Sequence, residues 1–168
     1  MILFISIVVL VLCLLLIYNN FSKNKNSLYL CGSLICMCFI TLLHHFTIIS
    51  ENRFWIAIFA GHTIPFAYLI GPFLYFYTRN SLRGTTKMDR IDYIHYFPFI
   101  ISLISIFPFY FVDFDSKLKL AQLFIDSPSN IIKINLSWLY PSYFNILLRP
   151  LFLLAYSITC LLLLTKFI

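Results

Sequence analysis

Four histidines, six acidic residues and five cysteines are the groups with chemistry to offer in this sequence. His44 and His45 are adjacent. Neighbouring side chains diverge on a helix, so the two cannot reach one metal ion together. They are read as an interfacial pair. His62 is different. It lies between Gly61 and Thr63, three residues before Pro65, in the middle of an apolar run. An ionisable side chain there is either a pocket residue that responds to protons or a hydrogen-bonding group between helices.

The remaining chemistry is sparse. All six acidic residues fall near or outside the ends of apolar runs. No serine sits in G-x-S-x-G, no H-E-x-x-H occurs, and four glycines are too few for a phosphate-cradling loop. The chain is therefore expected not to be an enzyme and to need no cofactor or metal. Cys13, Cys31, Cys36, Cys38 and Cys160 all lie in apolar runs, where a thiol acts as a small apolar side chain. Cys36 and Cys38 form a C-x-C, whose side chains point apart on a helix.

The elements that must carry these residues follow from composition. Hydrophobic residues make up 61% of the 168 and charged residues only 11%. A globular domain has roughly 45–50% and about 25%. So few charges cannot wet a soluble surface, and lipid is the solvent that remains. The net charge of +6 sits in short gaps between apolar runs. There it sets topology and touches anionic headgroups rather than nucleic acid.

A spanning helix needs roughly 17–25 apolar residues. Five runs qualify, at 2–18, 28–49, 54–78, 93–112 and 145–168. The expected fold is an all-α, polytopic transmembrane bundle. Run 2–18 lacks a basic leader and a small-residue cleavage site, so it is read as an uncleaved helix. It is apolar on every face, which excludes an alternating barrel strand. The interval 113–144 is read as an extramembrane loop with a short interfacial helix over 117–125. Trp138, Tyr140 and Tyr143 suit the headgroup level. Run 54–78 carries Gly61, Pro65, Gly71 and Pro72. Proline removes a backbone donor, so a bend is expected at Gly71 and Pro72. That bend is either functional or ordinary membrane packing.

One stretch carries a recognisable pattern. Gly71, Pro72, Leu74, Tyr75 and Tyr77 end one helix, a basic turn follows, and His95, Pro98 and Phe99 open the next. This resembles the membrane-embedded N-terminal region of bacterial AraC-type transcriptional regulators. The motif covers about 30 residues, and the other helices fit by layout. The resemblance implies a sensing bundle joined to a cytoplasmic helix-turn-helix domain. This sequence reaches Ile168 without such a region. DNA contact is therefore expected only through a C-terminal domain not present in this chain, which is read as a fragment or truncated form. The expected role is an integral membrane sensor or anchor region, in contact with the lipid bilayer and able to pair as a homodimer. The alternative is a fragment of a small-molecule transporter, which would want ionisable groups at mid-membrane in several helices.

Orientation follows the basic residues. With the N-terminus outside, the inner side of a cytoplasmic membrane holds Lys23, Lys25, Arg79, Arg83, Lys87, Arg90 and Lys166. The outer side holds Arg53, Lys117, Lys119, Lys133 and Arg149. Short loops count most in the positive-inside rule, and 79–90 is short. The C-terminus then lies inside. Accordingly, Thr85→Cys, in a chain with its five native cysteines replaced, should resist an impermeant thiol reagent in intact cells. Ready labelling from outside would reverse the orientation.

Overall fold

In the computed structural model, residues 2–127 and 135–167 are described, and their regular structure is entirely helical. Lys133, in the expected loop, and Ile168, at the expected end of the last helix, lie outside the described residues. Among the described residues four helices are long and apolar enough to cross a membrane, or five if one sharply bent pair counts as a single span.

Helix α1 is Ile2–Asn20. It ends where Asn19 and Asn20 donate from their side chains to the carbonyls of Leu15 and Leu16. Helix α2, Ser27–His44, packs against it. Cys13, Cys31, Cys36 and Cys38 are buried and unbridged, in keeping with their apolar role. Lipid tails are as apolar as leucine, so close packing rather than the hydrophobic effect draws such helices together. Small residues on α2 permit it. A side chain at Gly32 would begin 3.1 Å from the ring of Phe73.

The run expected as 28–49 stops being α-helical at His44 and closes with a π-helical turn, His45–Ile49. The Ser50 hydroxyl donates to the Phe46 carbonyl. Glu51 takes a positive φ of 50°, and the Asn52 side chain accepts the Phe54 N–H to start α3, Arg53–Phe59.

The single helix expected over 54–78 is two helices. The chain breaks at Gly61, whose φ is 85°, and resumes as α4, Thr63–Arg83. The two halves meet at a bend of 54°. The expected bend at Gly71 and Pro72 is absent as a break: α4 runs through both. Contacts from neighbouring helices let α4 carry the proline without ending. Glycine with positive φ, in contrast, cannot continue a right-handed helix. His62 consequently stands at the break, not in mid-helix. Helix α4 is central and touches α2, α5 and α7.

The expected helix 93–112 begins as a 3₁₀ segment, Arg90–Tyr96, and continues as α5, Phe97–Tyr110. Pro108 has no N–H for the Ile104 carbonyl four residues back. The indole of Trp138 supplies the missing donor, with Nε1 3.1 Å from that oxygen. Helix α6, Phe114–Asp126, is amphipathic and longer than the expected 117–125. Asp113 caps it by accepting the Ser116 N–H at 2.8 Å, which holds its carboxyl below the usual range. Ala121 seats α6 on Ile56 and Ala57 of α3. Helix α7, Ser142–Phe167, presents Leu147, Leu154 and Leu161 outward, as a lipid-facing helix does.

Replacing Gly61 with alanine puts a Cβ on a left-handed backbone, at a cost of about 1–2 kcal/mol. Gly61→Ala should therefore lower the unfolding midpoint in an SDS titration. An unchanged midpoint would show that the turn relaxes without cost.

Candidate functional site

The polar groups at one end of α4 form the best-organised cluster among the described residues. Arg79 is buried and forked onto Asp92: Nη1 is 2.6 Å from Oδ1 and Nη2 is 2.9 Å from Oδ2. The two side chains are only 6% and 7% exposed. The fork fixes both planes, which a lysine could not do. Arg79 Nε donates to the Asn80 side chain at 3.2 Å. Its guanidinium also lies 5.1 Å from the centre of the Phe76 ring. On the other side, Asp92 Oδ2 accepts the Asp89 N–H at 2.9 Å, and Asp89 in turn accepts a backbone N–H, closing a capping box. One carboxylate thus starts the 3₁₀ segment and ties it to α4. Gly84, in left-handed conformation, ends α4 and lets the chain turn back between them.

Three residues onward, His95 Nδ1 shares a hydrogen bond of 2.5 Å with the Tyr156 hydroxyl on α7. Tyr75 packs beside the imidazole with ring centres 5.1 Å apart, and Phe76 meets it edge-on at 5.4 Å. Gly71 is the floor of this contact. A Cβ there would lie 2.7 Å from the Tyr156 ring, so only glycine admits the tyrosine so close to α4.

Of the residues singled out from sequence, the structure brings Gly71, Tyr75 and His95 together. Pro72 is buried in the same helix. Tyr77 serves a different contact, in which its carbonyl accepts Asn26 Nδ2 at 3.1 Å and ties the start of α2 to α4. Pro98 faces an apolar crevice with Tyr68, Leu151 and Phe152. Phe99 packs on Phe66 with ring centres 6.0 Å apart. His62 is at the opposite end of the bundle, 5.0 Å from the Tyr110 ring centre, with Nδ1 buried and unpartnered among the described residues.

Sequence reasoning missed Arg79 and Asp92 as a pair and gave Tyr156 no part at all. The signal for the pair was present: opposite charges 13 apart, either side of Gly84. Nothing local marks Tyr156, because its partners in the cluster, His95 and Tyr75, are 61 and more residues away. The cluster's chemistry is that of a joint. Its carboxylate is spent on a guanidinium and its imidazole on a phenol. No group of three metal-ligating side chains occurs among the described residues.

Removing one partner from a buried ion pair leaves an uncompensated charge, at a cost of about 3–5 kcal/mol. Asp92→Asn should destabilise the chain by that order, and Arg79→Met with Asp92→Leu should recover most of the loss. Unfolding titrations of the three variants check this. Equal loss in the single and double variants would mean that the pair contributes by packing alone.

In comparisons with known proteins, no family model matches the chain, and no curated protein and no solved structure is similar to it.

Proposed function

We propose that this chain is the integral membrane sensor or anchor region of an AraC-type, membrane-bound transcriptional regulator. The observation that carries the reading is the meeting of Gly71, Tyr75 and His95 at Tyr156. Both halves of the pattern that resembles that family thereby grip one residue of the last described helix. A shift of the 3₁₀ segment relative to α4 must move α7, because the three share ring and hydrogen-bond contacts.

The charge distribution supports a cytoplasmic place for this joint. Of the described residues, seven basic and two acidic ones belong to its end of the bundle, against four and four at the other end. Such an excess in short loops favours the inner face of a cytoplasmic membrane. The N-terminus then lies outside and the end of α7 inside. DNA would be contacted by a helix-turn-helix domain borne on a longer chain. The apolar outer faces of α1 and α7 suit lipid and a second copy equally. The chain's own part is non-catalytic: it holds and biases an output domain.

A dimerisation-dependent DNA-binding reporter domain fused after Lys166 tests the reading. His95→Ala should change promoter output while leaving membrane insertion and protein level intact. Unchanged output at normal level would leave the cluster with a packing role. Specific DNA binding by the purified chain alone would overturn the assignment, because no helix-turn-helix occurs among the described residues.

A further inference from the structure

At the end of the bundle opposite the Arg79–Asp92 joint lies a cavity of about 360 Å³. That is within the roughly 300–1,000 Å³ of small-molecule sites. Its walls come from the π-helical turn after α2, the break between α3 and α4, α6 and α7. Ile56, Ile64 and Phe124 form an apolar side, and Arg149 of α7 stands among the lining residues.

Arg149 is the unusual member. It is seven residues after the start of α7, about 10 Å along the axis at 1.5 Å per residue. A charge within an apolar helix is costly and ordinarily faces a partner or a cavity. Arg149 makes no ion pair, although all six acidic residues are described. Its Nε donates to the Asn145 carbonyl at 2.9 Å, and neither terminal nitrogen has a partner among the described residues. One turn earlier, Asn145 is fully buried and its Nδ2 is likewise unpartnered. Unused donors on a cation beside an apolar wall call for an acid with an apolar body. Glu51 also lines the cavity and repels a second negative charge. His44, Thr47 and Thr63 complete the polar rim.

We infer that this cavity binds a singly charged anionic amphiphile, with its acid group on the Arg149 guanidinium and its chain along Ile56, Ile64 and Phe124. Phe124 and Ile125 bring the amphipathic helix α6 into the cavity wall. Free fatty acids and anionic phospholipids share this chemistry. The inference deepens the sensor reading by naming a ligand class. Its test requires no output domain, so the two readings fail separately.

The test is native mass spectrometry of the full chain released from a nonionic detergent, with sodium decanoate and decanol as probes. The wild type should bind one decanoate, about tenfold or more tighter than decanol, as a charge-assisted hydrogen bond implies. Arg149→Gln should erase that preference, and Arg149→Lys should keep part of it. Ile48→Trp, at an exposed position on the rim, should weaken both probes without disturbing the core. It keeps the question open to measurement if the Arg149 variants do not fold. Displacement of decanoate by phosphatidylglycerol identifies a membrane lipid as the occupant, and its failure identifies a free acid. No binding by the wild type overturns the inference. So does binding that neither Arg149→Gln nor Ile48→Trp changes.

Discussion

Hydrocarbon offers no hydrogen bonds, so every polar atom drawn into this bundle must find its partner within the chain. That constraint explains most of the specific contacts. Pro108 releases the Ile104 carbonyl, and the Trp138 indole answers it from a segment 34 residues away. The Arg79 guanidinium is buried only because Asp92 matches it oxygen for nitrogen. Serines and threonines on the helices return their hydroxyl protons to carbonyls one turn back, as Thr78 does to Leu74 and Ser157 to Leu153. Among the described residues the constraint is not met at the Asn145 amide, nor at Asn26 Oδ1, His62 Nδ1, Asn80 Nδ2 and the Ser102 and Ser105 hydroxyls.

The same constraint sorts the bundle into two ends with different character. Around Arg79 and His95 an ion pair, a capping box and a histidine–tyrosine hydrogen bond are set among interlocking rings. Around Gly61 and Arg149 the backbone is broken, the π-helical turn departs from regular geometry, and a cavity opens. Irregular backbone at membrane depth is tolerated where it lines protein or a cavity, and this end does both. Helix α4 spans the interval between them and touches α2, α5 and α7 on its way.

Spans and solvent were legible in the sequence because both follow from run length and composition. The runs at 2–18 and 145–168 needed only small changes at their ends. Breaks were harder. Gly61 and Pro72 both weaken a helix on paper, and only tertiary contacts decide which one yields. At Pro72 the chain is packed by α2 and α7. At Gly61 the positive φ ends the helix outright. The 3₁₀ start of the fourth run was hidden because apolar periodicity does not distinguish it from α-helix over so few residues. The residues of the pattern, Gly71, Tyr75 and His95, fall at one corner of the molecule. The reason, the close approach of Tyr156, was illegible because a glycine's neighbour lies in the fold and not in the chain.

That close approach has a mechanical consequence. With its ring seated on Gly71, Tyr156 resists sliding of α7 along its axis, since any neighbour in the next turn would have to fit the same seat. If α7 tilts as a rigid rod, the contact at Tyr156 is the fulcrum of a lever. Arg149 lies seven residues to one side and Lys166 ten to the other, about 10 Å and 15 Å at 1.5 Å per residue. In such a tilt a sideways displacement at Arg149 reappears at Lys166 in the opposite direction and larger by about half.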